Sequence, residues 1–155
     1  YIKAKRKIAV ESLIIKNNYN KNIFFKYNRM RISKIEEIYY LKYDKLHANA
    51  IDILKKLKQN HKLVLVTDRK SKKNLLWQMK RFKIYHIFDK IILSRKKISR
   101  KDSIIISDTE NDILIGRKLH VPVITVENGI RHRDFLMKFS PRYLIKSFSW
   151  LDEIL

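Results

Sequence analysis

The sequence predicts an α/β fold in which a parallel sheet is covered by helices on both faces. Short, almost continuously apolar runs alternate with segments that carry apolar residues at helical spacing. Apolar strands separated by helices are typical of a parallel sheet that is buried on both sides. A hydrophobic content of 45% supports a folded core, and the presence of only two glycines and two prolines favours long regular elements.

Residues 1–46 are predicted to form a basic, aromatic-rich helical segment. Ser33 and Glu36 match a capping box that would open a helix through Ile35 and Leu41. The tyrosines and lysines of this segment could stack on unpaired bases, as in proteins that bind single strands. Alternatively, the segment packs on the core as a helical layer.

Residues 47–155 are predicted to form the core, with helices and strands in alternation. Apolar runs predict strands at 62–67, 88–93, 104–107, 121–126 and 143–145. Helical spacing or a capping residue predicts helices at 48–60, from the N-cap Ser71 to Phe82, at 111–119, at 130–139 and after the N-cap Ser149. Loops at the carboxyl ends of such strands usually hold the ligand.

Two carboxylates follow the third predicted strand, in the segment Ser107-Asp108-Thr109-Glu110-Asn111-Asp112. Carboxylates four residues apart on such a loop can point into one site, and Mg²⁺ prefers a few carboxylate oxygens together with several waters. The sequence therefore predicts Asp108 and Asp112 as Mg²⁺ ligands beside a phosphate group. The structural alternatives are an N-cap role for Asp108 and a first-turn role for Asp112.

The order of the segments resembles the haloacid dehalogenase (HAD) superfamily of phosphatases and related phosphotransferases. The residues that carry the resemblance are Leu63 to Arg69, Phe88 to Ile92, Ser107 to Asp112, and Val121 to Gly129. The resemblance covers residues 45–155 and places residues 1–45 where a helical cap would be. It implies a Rossmann-like core, a phosphate-binding Thr67, a charge-balancing Lys97, and Mg²⁺ held by Asp108 and Asp112.

One motif of that superfamily is missing from the sequence. Its nucleophile is the first aspartate of an Asp-x-Asp pair at the end of the first core strand, and no Asp-x-Asp occurs among the 155 residues. We expect that strand to precede the cap, upstream of Tyr1. Without the nucleophile, Thr67 and the metal loop can bind and orient a phosphate but cannot form an aspartyl-phosphate.

The chain carries a strong positive charge, with 36 Lys and Arg against 15 Asp and Glu and a formal net charge of +21. Such a field favours polyanions, although AT-rich codon usage also raises the lysine content. The basic residues predicted to contact a nucleic-acid backbone, or else to lie in solvated loops, are Arg95, Lys96, Lys97, Arg100, Lys101, Arg131, Arg133 and Arg142.

Two functions follow from these observations. The first is a catalytically silent HAD-like protein that serves as a basic, RNA-associated structural subunit, for example of an organellar ribosome. The alternative is a Mg²⁺-dependent phosphatase that acts on a small phosphorylated substrate and has its nucleophile upstream of Tyr1. The sequence shows no membrane-spanning run, signal-peptide pattern or cysteine. We therefore expect an organelle matrix or the cytoplasm rather than secretion, and no membrane partner.

Overall fold

The computed structural model describes residues 20, 22, 25–26, 29–30, 34–94, 102–127 and 129–155. The described residues between 22 and 98, with 151–155, form one compact unit, here called the N-terminal unit. Those between 99 and 150 belong to a second one, the C-terminal unit. This division does not test the predicted boundary between cap and core at residues 46 and 47.

The N-terminal unit contains a two-stranded parallel sheet packed with helices. Its elements are helix α1 (Ile38–Leu41), helix α2 (Ala50–Asn60), strand β1 (Val64–Val66), helix α3 (Lys72–Arg81), a 3-10 helix (Tyr85–Ile87) and strand β2 (Lys90–Ile92). Val64 pairs with Lys90 and Val66 with Ile92. One cluster of its buried residues consists of Leu75, Met79, Ile84 and Ile87, with Leu63 and Leu65 among the residues packed against it.

The C-terminal unit contains a three-stranded parallel sheet. Its elements are strand β3 (Ile105–Ser107), helix α4 (Glu110–Leu119), strand β4 (Val123–Val126), helix α5 (Arg133–Met137) and strand β5 (Tyr143–Ile145), and a 3-10 helix (Phe148–Glu153) follows. The strand order is β3-β4-β5, and all four residues of the central β4 are buried. Ile113, Val123 and Leu136 form the core. The parallel pairing confirms the predicted α/β fold.

The predicted cap of α3 is confirmed, whereas the N-cap predicted at Ser149 differs from the structure, and the capping box of Ser33 and Glu36 stays a prediction because Ser33 lies outside the described residues. The Ser71 side chain accepts a hydrogen bond from the Asn74 N–H at 3.2 Å. Ser149, predicted as an N-cap, lies inside the final 3-10 helix, where its hydroxyl bonds that of Ser147. Glu36, predicted in a capping box, directs its carboxylate to other backbone N–H groups, described below.

Parts of the prediction fall outside the described residues, namely Ser33 and the basic run 95–101. Within the described ranges, no helix combines the length and the apolar character that crossing a bilayer requires.

Candidate active site

The predicted metal loop connects β3 to α4 in the C-terminal unit. β3 ends at Ser107 and α4 begins at Glu110, so the chain turns within two residues. Oδ2 of Asp112, in the first turn of α4, accepts hydrogen bonds from the hydroxyls of Ser107 and Thr109, the latter at 2.7 Å. The Thr109 N–H donates to the Ser107 hydroxyl at 3.3 Å. These bonds fix the Asp112 carboxylate over the loop that precedes it.

Asp108 does not cap α4, so the structural alternative for this residue is wrong. Thr109 is the N-cap residue, with φ −127° and ψ 149°. Oδ2 of Asp108 instead accepts the backbone N–H of Ile130 at 2.6 Å, on the loop after β4. A Cβ atom at Gly129 would lie inside 3.0 Å of Asp108 Cβ, Cγ and Oδ2. The close approach of the two loops therefore requires glycine at this position.

A second contact between the same two loops joins Glu110 to Arg131. The guanidinium donates from Nε to Glu110 Oε2 at 2.6 Å and from Nη2 to Oε1 at 2.8 Å. Only 10% of the Glu110 side chain and 15% of the Arg131 side chain are exposed. The guanidinium also lies 5.5 Å from the centroid of the Phe135 ring. Sequence reasoning assigned Arg131 to a polyanion and gave Glu110 no role, so this pair was missed.

The other basic residues predicted to bind nucleic acid either contact side chains of the same unit or fall outside the described ranges. Arg133 donates to Glu127 Oε2 at 2.7 Å, and the Arg142 guanidinium lies 5.3 Å from the Tyr143 ring centroid. Residues 95–101, which include Lys97, are not described. Nothing in these contacts tests nucleic-acid binding, so the assignment of these residues stays a prediction.

Thr67 lies at the carboxyl end of β1, as predicted, in the N-terminal unit. Its N–H donates to the Ile92 carbonyl at 3.0 Å, which extends the pairing of β1 with β2. Its hydroxyl accepts the Arg69 N–H at 3.3 Å and keeps its own hydrogen for donation. The side chain is half-buried. Thr67 can therefore donate a hydrogen bond to an anion at this edge of the two-stranded sheet.

Two acidic residues near α1 hold the loop that follows Thr67. Oε2 of Glu36 accepts the N–H groups of Lys70 and Ser71, each at 2.9 Å. Nη2 of Arg69 lies 3.7 Å from Asp44 Oδ2, and its Nη1 is buried with no hydrogen-bond partner among the described residues. The loop after Thr67 is thus held by two acidic side chains that flank α1.

Comparison with known proteins agrees with a fold of parallel strands that alternate with helices. Residues 83–151 match the family model described as HAD-hydrolase-like. The chain has the HAD-like fold. No match was found among curated proteins.

Solved structures with the HAD-like fold are similar to this chain at low sequence identity. A HAD-like family hydrolase from Streptococcus pneumoniae is 21% identical, with 72% of this chain and 60% of that protein covered and a TM-score of 0.61. A predicted phosphatase from Clostridium acetobutylicum is 22% identical, with 98% and 78% covered and a TM-score of 0.67. A predicted phosphoglycolate phosphatase from Haemophilus somnus is 19% identical, with 71% and 57% covered and a TM-score of 0.62. The chain thus spans less than two thirds of the first and third proteins.

The carboxylates of the predicted metal loop suit Mg²⁺ in the chemistry of their donors. Asp108 and Asp112 both offer hard carboxylate oxygens and are both oriented by neighbouring donors. Mg²⁺ is usually bound through one or two carboxylates, several waters and substrate phosphates. The described residues contain no group of three or more His, Cys, Asp or Glu side chains that could hold a metal. The loop therefore fits Mg²⁺ as a two-carboxylate site and not as a cage made only of protein ligands.

Proposed function

We propose that this chain is the part of a Mg²⁺-dependent, HAD-type phosphatase that binds the phosphate group and the metal. The observation that carries the proposal is the orientation of Asp108, on the loop after a parallel strand, and of Asp112, in the first turn of the helix that follows. Asp112 is held by two hydroxyls and Asp108 by a backbone N–H, so both carboxylates are restrained before any ligand arrives. Restrained carboxylates at the carboxyl edge of a parallel sheet are expected of a ligand site.

Each residue of the chain has a separate task in this proposal. Asp108 and Asp112 would hold Mg²⁺, which when bound would neutralise charge on the phosphoryl oxygens. Thr67 would donate its hydroxyl hydrogen to a phosphoryl oxygen, because the backbone N–H of Arg69 already occupies one of its lone pairs. Lys97 would balance the remaining negative charge. None of these residues is a nucleophile, so the attacking aspartate would come from an Asp-x-Asp strand encoded upstream of Tyr1.

The substrate class that suits this set of residues is a phosphate monoester. The roles that the HAD resemblance implies for Thr67, Lys97 and the Mg²⁺ ligands all concern a phosphate rather than the group it is attached to. A small phosphorylated molecule therefore stays our expectation.

The test begins with the reading frame before Tyr1, where the proposal requires Asp-x-Asp after a short apolar run. The extended protein should release phosphate from p-nitrophenyl phosphate only when Mg²⁺ is present. Replacing Asp108 by Asn should lower that rate by roughly 100-fold, because the Mg²⁺ that would contact the phosphoryl group loses a charged ligand.

The matched control is Asp134→Asn, in the same unit. Asp134 is 75% exposed and pairs with His132, so the same chemical change there should leave the rate unaltered. Absence of the upstream motif, or an Asp108→Asn rate equal to that of the control, would overturn the proposal.

The RNA-associated function is less well supported than the phosphatase. It depends on the net charge, and two of the arginines assigned to it, Arg131 and Arg133, form ion pairs with glutamates. The fold comparisons concern hydrolases and phosphatases. RNA binding, a ribonucleoprotein partner and the compartment stay predictions.

A further inference from the structure

Three consecutive residues on the loop after β4 contact the metal loop. Gly129 packs against the Asp108 side chain so closely that no Cβ atom fits between them. The next residue, Ile130, donates its N–H to Asp108 Oδ2 at 2.6 Å. The third, Arg131, donates two hydrogen bonds to Glu110. The N–H that orients Asp108 therefore lies between a close backbone contact and a bidentate ion pair.

The Glu110–Arg131 pair is suited to hold this loop in place. A guanidinium and a carboxylate joined by two parallel hydrogen bonds restrain each other in direction as well as distance. Both side chains are largely buried, so solvent does little to weaken the pair. The Phe135 ring beside the guanidinium limits its movement further. The anchor is therefore rigid, and it is one residue away from the Ile130 N–H.

We propose that Glu110 and Arg131 are positioning residues that hold the Ile130 N–H against Asp108. With Oδ2 of Asp108 bonded to that N–H, the plane of the carboxylate is set, and with it the direction of its remaining lone pairs. Glu110 follows Asp108 by two residues, so the ion pair restrains both sides of the Asp108–Ile130 hydrogen bond. Neither residue touches the metal in this scheme.

The chain contains a second Glu–Arg pair that serves as a matched control. Glu127 and Arg133 come from the same region of the C-terminal unit and are joined by one hydrogen bond of 2.7 Å. The Arg133 side chain is 53% exposed, and both partners lie outside the metal loop. The Glu127 side chain is 17% exposed, but a single hydrogen bond to a half-exposed arginine restrains less than the bidentate, buried pair does. Replacing either glutamate by Gln makes the same chemical change, but only Glu110→Gln removes the proposed anchor.

The test measures amide hydrogen exchange of Ile130 by NMR in the full chain. The Glu110→Gln variant should exchange this amide roughly tenfold faster or more, with the amide of Ile124 in the buried centre of β4 unchanged, because the opening is local. The Glu127→Gln variant should leave both amides unchanged. Arg131→Lys keeps the positive charge but loses the planar guanidinium that makes two parallel hydrogen bonds, so it should also accelerate hydrogen exchange of the Ile130 amide.

Two results would overturn the inference. One is an Ile130 exchange rate that is the same in the wild type, Glu110→Gln and Arg131→Lys. The other is an equal acceleration of hydrogen exchange at the Ile130 and Ile124 amides, which would show that the Glu110–Arg131 pair stabilises the whole unit rather than this loop. If Glu110→Gln does not fold, the exchange rates of the Ile130 and Ile124 amides are compared in Arg131→Lys instead.

A further measurement rests on the proposed function. In the extended, active protein, Glu110→Gln should raise the Mg²⁺ concentration for half-maximal activity by roughly 10- to 100-fold, as observed when groups that orient metal ligands are removed. Glu127→Gln should not change it, and an unaltered Mg²⁺ requirement in Glu110→Gln would contradict the positioning role. Complete absence of phosphatase activity in the wild type would refute the proposed function, whereas the exchange of Ile130 would still decide the positioning role.

Discussion

Replacing Gly116 by alanine should destabilise the C-terminal unit. Gly116 lies in α4 and is buried where this helix packs on β4. A Cβ atom built there would lie 2.9 Å from the Val121 carbonyl oxygen and nearer still to Cγ2 of Val123. Real Cβ atoms essentially never approach another atom within 3.0 Å. Alanine therefore requires the helix and the strand to move apart.

The size of the effect follows from two opposing contributions. Alanine favours the helix over glycine by about 1 kcal/mol. Overpacking of a core position costs about 1–3 kcal/mol. We expect a value near 3 kcal/mol here, because one obstacle is a backbone carbonyl and the other is a β-branched side chain on the central strand. The net loss in the free energy of unfolding should then be about 2 kcal/mol.

Urea unfolding followed by circular dichroism measures this loss directly. The control is Lys118→Ala, an exposed position of the same helix, which should change the free energy of unfolding by less than about 0.5 kcal/mol. A Gly116→Ala variant at least as stable as the wild type would refute the close packing of α4 on β4.

Four other predictions concern stability, pH, the site and the charge. Thr125 is fully buried and its hydroxyl has no hydrogen-bond partner among the described residues, so Thr125→Val should raise the free energy of unfolding by about 1 kcal/mol; a decrease in urea unfolding would contradict this. The Lys58 ammonium, and then the Leu63 N–H, lower the pKa of Asp89, so its stabilising contribution is present above about pH 4 and is lost as the pH falls through that lowered pKa. Below about pH 4 the free energy of unfolding should fall less steeply with falling pH in Asp89→Asn than in the wild type, and parallel curves for the two proteins would exclude this contribution. In the extended protein of the proposed function, Gly129→Ala should displace Asp108 and reduce Mg²⁺-dependent phosphate release by roughly 100-fold; an unchanged rate would show that this release does not depend on the placement of Asp108. If the charge of +21 serves RNA binding, affinity should drop steeply between about 50 and 200 mM salt, and weak, salt-independent binding would remove that function.

The strands and most helices could be predicted because their signals are local. An apolar run locates β1, and Ser71, whose side chain accepts the N–H of the residue three positions later, locates the start of α3. The bounds of β5 were predicted correctly, whereas several other strand ends were predicted too far out. The run 62–67 contains β1 only from Val64 to Val66, although Leu63 and Thr67 still make backbone hydrogen bonds to the neighbouring strand segment. Apolar character extends beyond the residues that meet strand geometry.

The partners of the site residues could not be predicted in the same way, because they come from a distant part of the sequence. Arg131 follows Glu110 by 21 residues, and only the return of the chain through β4 brings them together. Local sequence suggested a different role for Arg131, since its neighbours His132 and Arg133 make a basic cluster. Gly129 offered a clearer signal. A chain with only two glycines uses one of them where the backbone must approach the Asp108 side chain.

The contacts around Asp108 favour a ligand site over a loop that only connects two elements. A glycine at a fixed position loses more backbone entropy on folding than other residues do. A buried ion pair is no more stabilising than well-packed apolar side chains of similar volume. Gly129 and the Glu110–Arg131 pair are therefore poor choices if the loop has to provide stability alone, and both act where the Asp108 carboxylate is oriented. Their placement favours the phosphatase proposal over a catalytically silent protein that has kept the fold.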